Sequence, residues 1–190
     1  MGKIVFDGWI EIICGPMFSG KTEELIKKLD KVKYSKEKFI VFKPIIDTRS
    51  KNAIVSRHNK IVPAIEVRNS NEILAYMNNY QDQNYKVIAI DEVQFMDKNI
   101  VNVVANLAKQ GYHLILAGLD KNFKAEPFGS MPELLAIADN VQKLIALCNV
   151  CGSQATFTYR TSNNDSEVLV GDSENYEARC YEHFSYKHND

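Results

Sequence analysis

One contiguous run of residues has the spacing of a phosphate-binding loop, G-x-x-x-x-G-K-[ST]. In such a loop, backbone N–H groups and the start of the following helix surround the phosphates. The lysine reaches the β- and γ-phosphates, and the last hydroxyl binds Mg²⁺. We therefore predict a nucleoside triphosphate site with Thr22 as a magnesium ligand. The run consists of Gly15, Pro16, Met17, Phe18, Ser19, Gly20, Lys21 and Thr22.

A second pair of chemically useful residues, Asp91 and Glu92, directly follows the apolar run 87–90. An acid at the end of a buried strand is the usual partner of a phosphate-binding loop, where it holds Mg²⁺, and we predict this role for Asp91. Glu92 is then the candidate general base. It could accept the proton of a phosphoryl acceptor or polarise a water molecule, so the residues alone leave kinase and ATPase open.

The carboxy-terminal part carries two C-x-x-[CH] pairs, Cys148 with Cys151 and Cys180 with His183. Three thiolates and one imidazole complete a tetrahedral zinc site and leave no position for a catalytic water, so the predicted zinc is structural. A disulfide fits poorly, because no secretory signal is recognised and three cysteines would leave one unpaired. We expect the segment between the two pairs to form a lid over a small ligand.

The elements that would position these residues alternate between strand and helix. Four short apolar runs predict strands buried on both faces of a parallel sheet, and 61–64 is a weaker, proline-interrupted candidate. Helical patterns begin near Ser70 and Asp97, which we predict as caps. The pattern indicates an α/β fold with one ligand site beyond the carboxyl ends of its strands. The four apolar runs are 9–14, 39–42, 87–90 and 114–117.

Composition narrows the class of partner. The chain has 190 residues, and its 23 lysines and arginines nearly balance 24 acidic residues. No basic field therefore favours a nucleic acid polymer, and no apolar stretch is long enough to span a membrane. We expect a cytoplasmic protein that binds small ligands. The absence of an Asn-Lys-x-Asp guanine-reading motif argues against a GTPase.

Taken together, the motifs resemble those of the cytosolic, zinc-containing thymidine kinase family, over nearly the whole chain. Two positions depart from the family pattern: His183 stands where many members have a fourth cysteine, and Tyr181 where a polar or basic residue is more common. The motifs are the loop 15–22, the strand ending at 91–95, Leu119 and Asp120 with Phe123 and 127–129, and the segment from Gly171 through Tyr176 to Cys180 and His183.

The resemblance implies a P-loop NTPase-like (RecA-like) core with a parallel sheet and a small zinc-binding domain, divided here as 1–147 and 148–190. It implies ATP-dependent phosphorylation of thymidine, and of deoxyuridine as a second substrate, with Glu92 as catalytic base and Asp91 on the magnesium side. It places ATP at the loop 15–22, Asp47, Thr48, Arg49, Asp91 and Gln94. It places the nucleoside at Met17, Leu119, Phe123, Phe128, Thr158 and Tyr176, with the backbone of Leu169, Val170 and Gly171 reading the pyrimidine.

The resemblance further implies a homotetramer that is inhibited by the end product dTTP. The remaining hypothesis from the residues alone is a zinc-bearing P-loop ATPase that acts on, or is regulated by, a macromolecular partner.

Overall fold

The computed structural model describes residues 8–162 and 174–184. Its α-helices are α1 (Lys21–Tyr34), α2 (Ser70–Asn79), α3 (Ile100–Lys109) and α4 (Met131–Ile137). Its strands are β1 (Trp9–Cys14), β2 (Lys38–Pro44), β3 (Ala53–Val55), β4 (Ile61–Pro63), β5 (Ile65–Val67), β6 (Tyr85–Ile90), β7 (His113–Gly118), β8 (Asn140–Lys143), β9 (Ala146–Leu147), β10 (Gln154–Ala155), β11 (Phe157–Arg160) and β12 (Tyr176–Arg179).

Within these described ranges, six strands form a parallel sheet in the order β5-β2-β6-β7-β1-β8. The predicted α/β class is therefore confirmed, and the four predicted strands are the four central ones. Each of these is mostly buried and mainly apolar, with Glu11 of β1 and Lys43 of β2 as buried charged exceptions. The edge strands β5 and β8 are more exposed and lack that signal, which explains why the sequence did not predict them.

Helices cover both faces of the sheet. On one face, Leu25 and Leu29 of α1 pack with Ile13 and Ile115. On the other, α2, α3 and α4 supply a second buried cluster that contacts the alternate strand residues. Because successive strand residues point to opposite faces, two separate cores hold the sheet and fix the position of its carboxyl ends.

The predicted helix caps at Ser70 and Asp97 are wrong as helix caps. Asn69 caps α2 by accepting from the backbone N–H of Glu72 at 3.2 Å, and Ser70 is the first helical residue. The Ser70 hydroxyl instead donates to Oδ1 of Asp97 at 2.8 Å, and α3 starts only at Ile100. The two predicted cap residues thus tie α2 to the turn before α3.

The weak candidate 61–64 does form a strand, β4, but outside the parallel sheet. It pairs antiparallel with β3, and this hairpin leads the chain from β2 to β5. A proline in the run is compatible with a short two-stranded edge.

Two further antiparallel pairs, β9 with β10 and β11 with β12, form the carboxy-terminal region. Ala146 of β9 already packs with Cys148 and Cys180. The domain division 1–147 and 148–190 stays a prediction. Over the part of the chain that the structure describes, no helix combines the length and apolarity needed to cross a membrane.

Candidate functional site

The predicted phosphate-binding loop connects β1 to α1 in the expected order. Gly20 precedes α1 with a left-handed φ of 83° and caps it without a side chain, so the helix N-terminus is left open for an anion. A Cβ at Gly15 would lie 2.4 Å from the Leu144 carbonyl oxygen, which makes this glycine a steric requirement. The buried Lys21 donates from Nζ to the Pro16 carbonyl at 2.8 Å.

The two acids after β6 lie beside this loop. The Thr22 hydroxyl donates to Oδ2 of Asp91 at 2.9 Å, so both predicted magnesium ligands are adjacent. Glu92 is buried and has a left-handed φ of 51°. Such a backbone is uncommon for a residue other than glycine and is concentrated at functional sites. Arg49 donates to Oε1 of Glu92 and, at 2.6 Å, to Oδ1 of Asp47.

The two carboxylates differ in their proton affinity. Burial and the adjacent charge of Glu92 raise the pKa of Asp91 to about 7. Burial also acts to raise the pKa of Glu92, but the cations Arg49 and Lys21 outweigh it and hold that pKa below its ordinary value. Burial in turn lowers the pKa of Lys21. Glu92 is therefore an ionised carboxylate at neutral pH, as a general base must be.

A cavity of about 480 Å³ opens over these charged residues and extends to an apolar group of side chains. Phe95 and Phe128 meet edge to face with ring centroids 5.5 Å apart. Phe123 packs under the Arg160 guanidinium, 3.6 Å from Cζ to the ring centroid. The cavity thus combines a charged group and an aromatic group, as a phosphoryl donor and a flat acceptor would require. Of the predicted residues, Met17, Phe18, Gly20, Lys21, Thr22, Asp47, Arg49, Asp91, Glu92, Leu119, Phe123, Phe128, Thr158 and Tyr176 line it.

The other predicted contacts lie elsewhere. Thr48 is exposed and does not line the cavity, and Gln94 is buried with its amide bonded to Glu92 and Leu119. Gly15, Pro16 and Ser19 shape the loop without lining the cavity; the Ser19 hydroxyl donates to the Pro16 carbonyl at 2.8 Å. Leu169, Val170 and Gly171 lie outside the described residues.

The structure adds Phe95 and Lys121 to the cavity lining, and the sequence assigned neither a role in a ligand site. Arg57 and Arg160 also line the cavity; from the sequence, each is a candidate to stabilise transferred charge, with a surface ion pair as the alternative. Arg57 lies in the β3–β4 turn, with Cζ 4.7 Å from the ring centroid of Phe18 in the phosphate loop. Two short apolar runs flank this polar turn, and such a pattern is typical of a hairpin, so it could have indicated the position of Arg57.

Contacts across the cavity join the phosphate loop to the carboxy-terminal strands. The Met17 backbone N–H donates to the Thr158 hydroxyl at 2.9 Å. Arg160 donates to the Tyr176 hydroxyl at 2.8 Å, which links neighbouring strands β11 and β12. The predicted nucleoside residues of both regions are therefore parts of one connected site.

The four predicted zinc ligands converge. The ligand atoms of Cys148, Cys151, Cys180 and His183 all lie within 4.8 Å of one another. Tetrahedral zinc with Zn–S bonds near 2.3 Å places two thiolates about 3.8 Å apart. The Sγ atoms of Cys151 and Cys180 are separated by 3.7 Å, so the cluster fits zinc, and all four cysteines of the chain are free of disulfides.

Comparison with known proteins gives a consistent result. A family model described as thymidine kinase matches residues 8–184. A thymidine kinase of Mycoplasma genitalium is 50% identical over 182 residues, which cover 94% of this chain and 84% of that protein. A thymidine kinase of Ureaplasma urealyticum is 50% identical over 183 residues, covering 93% and 82%. A thymidine kinase of Ureaplasma parvum is 48% identical over 184 residues, covering 93% and 82%.

Proposed function

Because the chain belongs to the thymidine kinase family, we propose that it transfers the γ-phosphoryl group of ATP to the 5′-hydroxyl of thymidine, with deoxyuridine as a second substrate. The observation that carries this proposal is the position of Glu92. This buried, ionised carboxylate lines the same cavity as Lys21 of the phosphate loop and the aromatic group around Phe128.

The triphosphate binds at the start of α1. The open helix N-terminus and the Lys21 ammonium attract its charge, and Arg49, which donates to Asp47 and Glu92, lines the same cavity. Mg²⁺, held by Thr22 and Asp91, would neutralise charge on the β- and γ-phosphates. Exchange of the Lys21 contact from the Pro16 carbonyl to phosphate oxygen needs only a side-chain movement.

The nucleoside binds among Met17, Leu119, Phe123, Phe128 and Tyr176, which enclose a flat apolar ring. Its 5′-hydroxyl then faces Glu92, which accepts the hydroxyl proton as the new P–O bond forms and the bond from the γ-phosphorus to its bridging oxygen breaks. The predicted backbone contacts at 169–171 would read the pyrimidine edge. A buried backbone donor or acceptor left unpaired by the wrong base penalises that base.

The predicted zinc ligands lie at both ends of the segment that contains β10, β11 and β12. Cys148 and Cys151 come before β10 and β11, and Cys180 and His183 come directly after β12. A zinc ion bound there would keep Thr158 and Tyr176 in place against the phosphate loop. Its role in this proposal is structural.

Three finer properties complete the proposal. The charged and aromatic groups share one cavity, so dTTP, which carries both a triphosphate and a thymidine, can occupy both and inhibit. Assembly into a homotetramer is proposed from the family resemblance alone. The proposed compartment is the cytoplasm, where zinc-binding thiols remain reduced.

The test is transfer of labelled γ-phosphate from ATP to a panel of nucleosides. We expect label in thymidine monophosphate, less in deoxyuridine monophosphate, and none in purine nucleoside monophosphates. ATP hydrolysis without labelled nucleoside would instead support the alternative, an ATPase. An Asp82→Asn variant, changed on an exposed turn, serves as a control with an altered surface charge.

A further inference from the structure

The side chain of Gln94 connects two parts of the proposed active site. Its Nε2 donates to Oε2 of Glu92 at 2.6 Å, and its Oε1 accepts from the backbone N–H of Leu119 at 3.0 Å. Gln94 is only 2% exposed, and it does not line the cavity. Its amide is therefore engaged by the protein itself.

The chemistry of the two contacts permits only one orientation of this amide. A carboxylate accepts hydrogen bonds and a backbone N–H donates them, so Nε2 must face Glu92 and Oε1 must face Leu119. A carboxylate at position 94 could satisfy Leu119 but could donate nothing to Glu92. The site thus calls for a glutamine.

Two glycines, Gly118 and Gly129, lie directly against Gln94. A Cβ at Gly118 would lie 2.6 Å from Oε1 of Gln94. A Cβ at Gly129, which has a left-handed φ of 53°, would lie 2.4 Å from the Gln94 carbonyl oxygen. A side chain at Gly118 would therefore displace the Gln94 amide, and one at Gly129 would collide with the Gln94 backbone, so both glycines help to hold Gln94 in its observed position.

The two oxygens of Glu92 have different partners. Oε1 faces Arg49, whose side chain is 40% exposed, whereas Oε2 faces the buried amide of Gln94. The partly exposed Arg49 can turn toward a phosphate, whereas Gln94 is 2% exposed and its amide is held by a hydrogen bond at each end. The contact with Gln94 is therefore the one that can persist through a reaction.

The structure assigns Gln94 as the positioning residue of the general base, a role distinct from contact with ATP. It fixes Oε2 of Glu92 relative to Leu119 in the nucleoside pocket, and so leaves Oε1 directed at the acceptor hydroxyl. This assignment rests on the proposed function, because it presumes that Glu92 accepts a proton during transfer.

Two variants of Gln94 separate this role from a general effect on folding. Gln94→Glu keeps an acceptor for Leu119 and removes the donor to Glu92. Gln94→Met removes both hydrogen bonds without adding charge. We expect kcat to fall by about 10- to 100-fold in each, while KM for ATP and for thymidine changes by less than about threefold. Gln110→Glu, on an exposed helix end, is the matched control for charge and should retain wild-type kcat.

A double-mutant cycle with Glu92→Gln supplies the decisive measurement. If Gln94 acts through Glu92, adding Gln94→Met to Glu92→Gln lowers kcat by less than about twofold, because the base it positions is already absent. Thermal unfolding of all four proteins, measured in parallel, checks that each is folded at the assay temperature.

Two results would overturn the assignment. One is an equal loss of kcat from Gln94→Met with and without Glu92, which indicates a structural role. The other is a raised KM for ATP with unchanged kcat, which indicates phosphate contact. The wild-type rate with thymidine tests the proposed function separately. If that rate is absent, the same cycle is measured on ATP hydrolysis, the other reaction that Glu92 could serve.

Discussion

Glu11 and Asp91 are buried acids near opposite ends of the strands of one sheet, and their surroundings shift their pKa values in opposite directions. Near the amino end of β1, Glu11 receives hydrogen bonds from Lys28 and Asn140 at 2.8 Å each, and Nε2 of His113 lies 3.7 Å from its Oε2. His113 first, and then Lys28, outweigh burial and lower the pKa of Glu11 to about 2. At the carboxyl end of β6, burial and Glu92 raise the pKa of Asp91.

The two acids differ in whether the protein itself balances their charge. The Glu11 cluster is compensated within the protein and leaves nothing for a ligand to complete. At the carboxyl ends of the strands, the adjacent acids Asp91 and Glu92 share a cavity with Lys21 and Arg49. Burial and the charge of Glu92 make the ionised form of Asp91 unfavourable. A metal or phosphate could relieve that imbalance, which is the arrangement expected of a binding site.

The largest expected effect comes from Glu92→Gln, which removes the proposed base at the functional end. We expect kcat for thymidine to fall by at least about 100-fold, because general-base transfer is lost while the fold is kept. Steady-state kinetics with ATP and thymidine measure it. Glu11→Gln is the matched control and should keep near-normal kcat; similar losses in both variants would break the comparison.

In the predicted zinc site, a metal ion would balance the charge of the cysteine thiolates. We expect about one zinc per chain, and its loss in Cys148→Ser, with a rise of roughly tenfold in KM for thymidine. Elemental analysis and kinetics check both parts. Ser153→Ala, in the same turn, should retain zinc. Freshly purified wild-type protein without zinc would remove the metal from this description.

Glu11→Gln should affect stability instead of turnover. We expect the free energy of unfolding at pH 7 to fall by about 1–3 kcal/mol, because the partly buried Lys28 loses its charged partner. Since the folded pKa of Glu11 lies below its ordinary value of 4.5, the wild type loses this stabilisation as pH falls from 4.5 toward about 2. Denaturant unfolding from pH 7 to pH 3 tests this: the gap between the proteins should narrow on acidification.

The smallest expected effect has the opposite sign. In magnesium-free buffer at pH 8, Asp91→Asn should raise Tm by about 2–4 °C, because it removes an unfavourable buried charge. The folded pKa of Asp91, about 7, exceeds its ordinary value of 3.8, so the wild type loses stability as pH rises through this interval. The difference in Tm between variant and wild type should therefore shrink below pH 5. A lower Tm for the variant at pH 8 would contradict the described imbalance.

The sequence predicted best those features whose residues are close together in the chain. The phosphate loop motif and the C-x-x-[CH] pairs have fixed local spacing, and the central strands contain buried apolar runs, so the sequence located each of these features correctly along the chain. It failed where partners are distant. Ser70 has the residue type of a helix cap, but its hydroxyl donates a hydrogen bond to Asp97, which is distant in sequence. The edge strands β5 and β8 have too few buried positions to show a hydrophobic pattern.

By itself, the sequence determined the α/β class and the positions of the predicted triphosphate loop, the acid pair and the predicted zinc ligands, because these depend on local order and residue type. Only the tertiary structure decided which groups Gln94 contacts and why the pKa of Glu11 is lowered while that of Asp91 is raised. The hydrogen-bond partners of Gln94, Glu11 and Asp91 are Leu119, Lys28 and Thr22, respectively. Each partner is distant in sequence and is brought close by the order of the strands and the packing of the helices. Burial and neighbouring charge set the behaviour of an acid, and both arise only when the chain folds.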